Sequence, residues 1–240
     1  MKRIIFILAF VFSVGTFAQT NMQFFYDFGS QNTACENQRT KRTTLTIEHL
    51  SMDKWGSNFF FVDFDFGLTK NDPKHSPFGA YTELARTLNF WQDSKMKNLS
   101  LHIEYNGGLG LYNGGGFGIN NTQLYGLEYI LHTNDYSSIL NFQLLYRYQR
   151  KSNVKIPLQF TAVWTIKDLF KVKNLHFGGY IDFYDGENKF AFTSEPQLWY
   201  NIGRLFECPA LNIGTEIEFS YNFCGEGFMC NPCVGLKWIL

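Results

Sequence analysis

The sequence has no excess of charge of either sign. Its 240 residues include 21 Lys and Arg and 21 Asp and Glu, and it contains no basic cluster and no charged tail. Nucleic-acid-binding proteins need a basic surface that follows the phosphate backbone. We therefore expect no nucleic acid among the partners of this chain.

A long apolar run is also missing after residue 18. A transmembrane helix needs about 20 consecutive apolar residues, and the one apolar run, Ile4–Val14, is shorter. It follows Lys2 and Arg3 and precedes Thr16-Phe17-Ala18, which is the arrangement of a secretory signal peptide rather than of a membrane anchor. Residues 1–18 are thus predicted to be a signal peptide, and residues 19–240 a single mature domain starting at Gln19.

Motifs of known catalytic chemistry are missing as well. None of the five histidines belongs to a His-Glu-x-x-His pair or lies near a recognisable Ser or Cys nucleophile. The glycines at 107–108 and 114–116 do not connect a strand to a helix, as a phosphate-binding loop requires. We therefore expect no enzymatic activity, no cofactor and no metal. The histidines are His49, His75, His102, His132 and His176.

What the chain does contain is alternation of apolar and polar residues with period two. Aromatic residues make up 18% of the sequence, yet the mean hydropathy is only −0.18. In Phe59–Phe66, for example, Phe60, Val62 and Phe64 oppose Asp63 and Asp65, as expected for a β-strand with two different faces. Twelve such segments are predicted, and the glycine-rich stretch 107–121 is predicted to be a long loop. The segments are 22–29, 44–50, 59–66, 78–91, 99–105, 123–132, 140–149, 158–166, 175–184, 190–201, 211–222 and 234–240.

This alternation fits a soluble β-barrel with an apolar interior or a membrane barrel with a polar interior. Three features favour an all-β, closed antiparallel transmembrane β-barrel. The strand number is even and follows an export signal, so the sheet can close without an exposed edge. The last strand is apolar, although it ends on Leu240 rather than on an aromatic residue. Aromatic residues cluster near strand ends, where membrane barrels carry their girdles: Tyr26, Phe28, Trp55, Phe90, Trp91, Trp164, Tyr184, Trp199 and Trp238.

An even-stranded barrel places both termini at one end, which we predict to be periplasmic. Turns near residues 53, 93, 134, 171 and 203 are then periplasmic, and loops near 32, 72, 115, 153, 186 and 226 are external. Cys35, Cys224, Cys230 and Cys233 would gather at the external side of the seam between the first and last strands. Export exposes them to an oxidising compartment, so disulfides are expected there. The spacing of the last three is also compatible with a metal site, and Cys208 would lie alone at the opposite end.

The polar faces of the predicted strands would line the lumen. Acidic residues dominate this face, which disfavours anions and admits cations or neutral hydroxylated solutes. Inward aromatic rings offer stacking surfaces for a base or a sugar. The same side chains are equally compatible with structural filling of a narrow barrel. The alternation does not assign Arg86 to the inner or the outer face. The predicted lining residues are Phe25, Asp27, Glu48, Asp63, Asp65, Glu83, Glu104, Glu128, Arg147, Tyr180, Asp182, Tyr184, Glu195, Glu216 and Glu218, with Asp63 and Asp65 the preferred pair.

Five segments in order resemble the nucleoside-specific outer-membrane channel family (Tsx-like). They are QFFYDFG, KWGSNFFFVDFDFG (54–67), SPFGAYTELARTL (76–88), TIKDLFKVKNLHFGGYIDF (165–183) and NPCVGLKWIL at the end of the chain. The resemblance implies a monomeric, narrow, twelve-stranded channel for nucleosides. The cysteine-rich last loop departs from the family pattern.

The first functional hypothesis is an outer-membrane channel for passive uptake of small polar solutes, with nucleosides as the implied substrate. The second is a non-conducting structural or adhesive barrel, and the third is a soluble exported ligand carrier. For the two membrane hypotheses, the expected partners are the lipid bilayer and the outer-membrane assembly machinery of a Gram-negative bacterium.

Overall fold

The computed structural model describes residues 17–30, 40–68, 77–150, 152–186, 189–223 and 226–240. They form one antiparallel sheet that closes because the first strand pairs with the last, for example through Phe25 and Gly235. The strands are β1 (Phe17–Asp27), β2 (Arg42–Asp53), β3 (Gly56–Gly67), β4 (Gly79–Leu88), β5 (Leu99–Tyr112), β6 (Gly115–His132), β7 (Ser138–Gln149), β8 (Leu158–Ile166), β9 (Leu175–Asp185), β10 (Phe190–Ser194), β11 (Gln197–Tyr200), β12 (Leu211–Tyr221) and β13 (Phe228–Ile239).

The barrel has twelve strand positions, because β10 and β11 share one. Both of these short strands pair with β9 on one side and β12 on the other. Glu195 and Pro196 separate them, and proline cannot donate a hydrogen bond to a neighbouring strand. The closed twelve-stranded prediction is therefore confirmed. Among the described residues, no helix is long and apolar enough to span a membrane.

The two faces of the barrel are inverted relative to a soluble protein. On β1, Asn21 and Gln23 are 4% and 1% exposed, whereas Met22 and Phe24 are 39% and 49% exposed. Across the described residues, 18 polar or charged residues are buried but only eight hydrophobic ones. A closed barrel with an apolar outer face and a polar interior is the architecture of a Gram-negative outer-membrane protein embedded in lipid. The predicted location is confirmed, and the outward apolar face counts against a soluble carrier.

The glycine-rich stretch 107–121 forms no long loop, so that prediction was wrong. β5 and β6 instead extend into a long hairpin that turns at Asn113 and Gly114. Gly114 has a φ of +99°, a backbone conformation that glycine adopts without a steric penalty. Gly110 leaves room for the ring of Phe117, which lies where a Cβ would otherwise stand. The low apolar content of this segment concealed the strand period.

Phe17, Leu240 and five of the turns lie together at one end of the barrel. Leu240 donates its backbone N–H to Thr20 O over 2.9 Å, and Phe17 pairs with Met52 close to the β2–β3 turn. In the β6–β7 turn at this end, hydrogen bonds from Thr133 and Ser137 lower the pKa of Asp135 to about 2. Which end faces the periplasm stays a prediction. Of the predicted signal peptide, residues 1–16 lie outside the described ranges.

The predicted aromatic girdle is only partly an outer-surface feature. Trp55 and Phe90 are exposed and pack together at 5.8 Å between ring centroids. Trp199 is different, because it is only 4% exposed and contacts Phe25 inside the barrel. Tyr184 also points inward, since the Arg147 guanidinium lies over its ring. The girdle assignment was wrong for these two residues because nearness to a strand end does not reveal which face a ring occupies.

Candidate functional site

Three acidic side chains face one stretch of the interior from two opposite walls. Glu83 stands on β4 and Asp182 on β9, and four strands separate β4 from β9 on the shorter way round the barrel. Despite this separation, the two carboxylates interact electrostatically with each other and with Glu104 on β5. These side chains therefore face the same stretch of the lumen from opposite walls. We call Glu83, Glu104 and Asp182 the acidic constriction.

Two tyrosines border the acidic constriction. Tyr81 donates its hydroxyl to Glu83 Oε1 over 2.7 Å. Tyr180, next to Asp182 on the inner face of β9, lies within electrostatic reach of Glu83, Asp182 and Glu195. Glu195 is adjacent because its backbone N–H donates to Tyr180 O over 3.1 Å. Four of the predicted lining acids, Glu83, Glu104, Asp182 and Glu195, and one predicted lining tyrosine are thus brought together by the fold.

The constriction contains few cationic groups. In the described part of the chain, neither Glu83 nor Asp182 forms an ion pair. Asp182 accepts a hydrogen bond of 2.5 Å from the Thr161 hydroxyl, and Arg147 contributes an electrostatic attraction to it. The Arg147 guanidinium itself lies 4.5 Å from the centroid of the Tyr184 ring, a cation–π contact on the inner wall.

A buried polar network adjoins the constriction. His102 Nε2 is 2.9 Å from Glu104 Oε2, and His102 Nδ1 is 3.0 Å from Glu128 Oε2. Gln143 donates to the same Glu128 oxygen over 2.9 Å. An imidazole that faces two carboxylates donates to both only when both ring nitrogens carry a proton. This arrangement therefore favours the cationic imidazolium between Glu104 and Glu128.

The predicted preferred pair, Asp63 and Asp65, is engaged by neighbouring side chains. Asp65 forms an ion pair of 3.1 Å with Arg42 and accepts a hydrogen bond of 2.7 Å from Thr44. Asp63 accepts a bond of 2.5 Å from Thr46. Arg42 was missed in the sequence because it precedes the first alternating residue of its segment. Extending the period by one step beyond Thr44 would have placed it on the inner face.

Four other predicted acids lie on the inner face in hydrogen bonds with the wall. Glu48 accepts from Asn21 over 2.8 Å, and Glu216 accepts from Gln197 over 2.5 Å. Asp27 accepts from the backbone N–H of Gly29, and Glu218 accepts from Ser220. Arg86, left open by the sequence, instead pairs with Asp53 at 2.9 Å on the opposite face of β4 from Glu83.

An aromatic pair fills the inner wall at the seam. Phe25 on β1 and Trp199 on β11 lie 5.6 Å apart between centroids, and both are almost fully buried. Each ring occupies space that a glycine leaves free, Gly235 under Phe25 and Gly214 under Trp199. The Lys237 ammonium covers Trp199 at 4.3 Å. Phe25, predicted to be an accessible stacking surface, is therefore packed against this wall.

The cysteines lie in different environments. Cys35 and Cys224 lie outside the described residues. Cys230 is a half-buried residue on the outer face of β13, whereas Cys233 is buried on the inner face. Three residues of a strand span about 10 Å, which is too far for a disulfide, so these two cannot bond to each other. Cys208 is a free thiol at the other end of the barrel, beside Gly203.

The described residues give no support for a metal site at the cysteines of the last loop. There, no group of three or more His, Cys, Asp or Glu side chains is arranged to hold a metal ion.

Comparison with known proteins gives a family but no activity. Residues 18–240 match the family model described as "Domain of unknown function (DUF5020)". No curated protein matches the chain. Solved structures with a similar fold include a BenF-like porin from Pseudomonas fluorescens Pf-5, with 6% identity, 95% of this chain and 100% of that chain covered, and a TM-score of 0.48. Another is OccK2 (OpdF) of Pseudomonas aeruginosa, with 10% identity, coverage of 93% and 97%, and a TM-score of 0.42. A similarity at this level says nothing about a solute.

Proposed function

The chain belongs to the DUF5020 family, and we propose that it is an outer-membrane channel for passive diffusion of small polar solutes, with cations favoured over anions. The observation that carries this proposal is the acidic constriction. Carboxylates that face each other across a lumen create a negative potential there, and rings of Asp and Glu are a common means of cation selection in pores. Low-dielectric walls strengthen such a field.

Nucleosides are the solute that the sequence resemblance implies, and they fit the neutral part of this class. Carboxylates can accept hydrogen bonds from ribose hydroxyls, and the Tyr184 ring with Arg147 offers an aromatic and cationic surface on the same wall. The DUF5020 description names no solute. We propose that the channel takes up nucleosides and acts as a monomer. We further propose that the outer-membrane assembly machinery inserts it into the membrane.

A second candidate is a non-conducting barrel, which is favoured by the packing of the interior. Leu124, Leu145, Met229 and Trp199 all lie at 4% exposure or less, so apolar side chains fill part of the inner wall. Residues around the constriction are less buried: Tyr81, Glu83, Tyr180 and Asp182 are all half-buried. The half-buried region is where we place the solute path.

The test is single-channel recording of the refolded full chain in a planar bilayer under a KCl gradient. We expect discrete conductance with a reversal potential on the cation-selective side. The Glu83→Gln/Asp182→Asn variant removes two charges from the constriction, and we expect it to lower the ratio of cation to anion permeability several-fold. Asp93→Asn removes an exposed carboxylate from a turn and should leave this ratio unchanged.

Each outcome separates the two candidates. Stable insertion with β-type circular dichroism but without conductance would support the filled, non-conducting barrel. Conductance that is anion-selective, or unaltered by Glu83→Gln/Asp182→Asn, would show that the constriction does not control passage. Addition of a nucleoside should reduce the current if nucleosides use the same path.

A further inference from the structure

We propose that the acidic constriction is a binding site for a primary ammonium group of a permeating solute. This site rests on the proposed function, because the channel gives the solute access to it. The substrate class is small amines that carry a –NH3+ group. Its evidence is the chemistry of the groups that face this part of the lumen.

Unpartnered oxygen atoms flank the carboxylates on both walls. The Thr193 hydroxyl on β10 is buried without a hydrogen-bond partner, and Thr193 is 4% exposed. It lies on the inner face directly opposite Asp182. On the other wall, the Oδ1 atom of Asn106 is also buried without a partner, and Asn106 lies directly opposite Glu83. Buried polar atoms in native proteins are normally hydrogen-bonded, so both positions call for a donor.

The charge around these oxygens is not balanced. Glu83, Glu104, Asp182 and the adjoining Glu128 are four carboxylates, while among the described residues the cationic groups in contact with them are His102 and Arg147. Like charges that approach each other favour either proton uptake or a bound cation. A cation that enters from the lumen would therefore be stabilised at this point.

A primary ammonium group meets both requirements. It carries a positive charge and three N–H donors and has no acceptor, whereas carboxylate, hydroxyl and amide oxygens accept hydrogen bonds. The rings of Tyr81 and Tyr180 border the same space, and aromatic faces attract cations and cover aliphatic groups. A neutral polyol would supply donors but no charge, and a quaternary ammonium would supply charge but no N–H donor.

The probes follow from this comparison. Isothermal titration calorimetry of the detergent-solubilised full chain would use 1,4-diaminobutane and its hexamethylated derivative, which has the same charge but lacks N–H groups. Ribose serves as the uncharged polyol. We expect the diamine to bind at least tenfold more tightly than the methylated probe and than ribose.

Variants then locate the binding. Glu83→Gln/Asp182→Asn should weaken diamine binding at least tenfold. Thr193→Val is nearly isosteric and removes only the unpartnered hydroxyl, so we expect a few-fold loss of affinity with no loss of folding. Asp93→Asn should bind like the unmodified chain. Circular dichroism and gel mobility with and without heating confirm that each variant forms the barrel.

Calorimetry does not depend on conduction, so the two proposals fail separately. Diamine binding without conductance would keep the site and remove the channel. Conductance with equal binding of the diamine and its methylated derivative, or with binding that Glu83→Gln/Asp182→Asn leaves unaltered, would overturn the ammonium site and leave the channel in place.

Discussion

Replacing His102 by Leu should destabilise the barrel more than replacing His132 by Leu. His102 is 3% exposed and is hydrogen-bonded to Glu104 and Glu128, whose side chains are each 11% exposed. Leu fills a similar volume but donates no hydrogen bond. The substitution therefore leaves two largely buried carboxylates without their shared cation.

The expected loss follows from these contacts. Each hydrogen bond to a charged group contributes about 1.5–3 kcal/mol, and removing one partner of a buried ion pair costs about 3–5 kcal/mol. Gln143 continues to donate to Glu128, and lumen water can hydrate part of Glu104. We therefore expect His102→Leu to lower the free energy of unfolding by about 3 kcal/mol.

Urea unfolding in lipid vesicles, followed through the fluorescence of the five tryptophans, measures this loss. His132→Leu is the control, because His132 lies at a strand end, where it stacks on Tyr136 at 4.2 Å; its loss should be about 1 kcal/mol or less. The triple variant His102→Leu/Glu104→Gln/Glu128→Gln should recover at least half of the stability. A loss below about 1 kcal/mol for His102→Leu, or no recovery in the triple variant, would refute a charge-based role for the network.

Two further predictions concern the hairpin and the thiols. Gly114→Val should lower the free energy of unfolding by about 1–2 kcal/mol because Gly114 has a φ of +99°. Gly118→Val, which places its side chain in open space, should be nearly neutral in the urea titration. Equal losses for the two variants would contradict the turn at Gly114. After oxidation of the folded protein, peptide mapping should find no disulfide between Cys230 and Cys233. A small maleimide should label Cys230 faster than the buried Cys233. Faster labelling of Cys233 would contradict the assignment of Cys230 to the outer face and Cys233 to the inner face.

Much of the fold follows from local patterns in the chain. The alternation in segments such as Phe59–Phe66 is a property of consecutive residues, so it predicts strand, face and approximate strand number without knowledge of neighbours. The acidic character of the interior follows from the same alternation, since Asp63, Glu83 and Asp182 stand on polar faces. The hairpin at Gly114 was missed because glycine carries no side chain with which to mark a face.

Contacts between distant strands could not be read in the same way. Alternation gives Glu83 and Asp182 an inward face, but nothing local reveals that they meet across the lumen, because this depends on barrel closure and on the relative shift of twelve strands. The pairing of Asp65 with Arg42 and the burial of Trp199 over Gly214 depend on the same register. The period of a strand arises from the bonds along one chain segment, whereas the position of each side chain in the lumen arises from hydrogen-bond register between segments that are far apart in sequence.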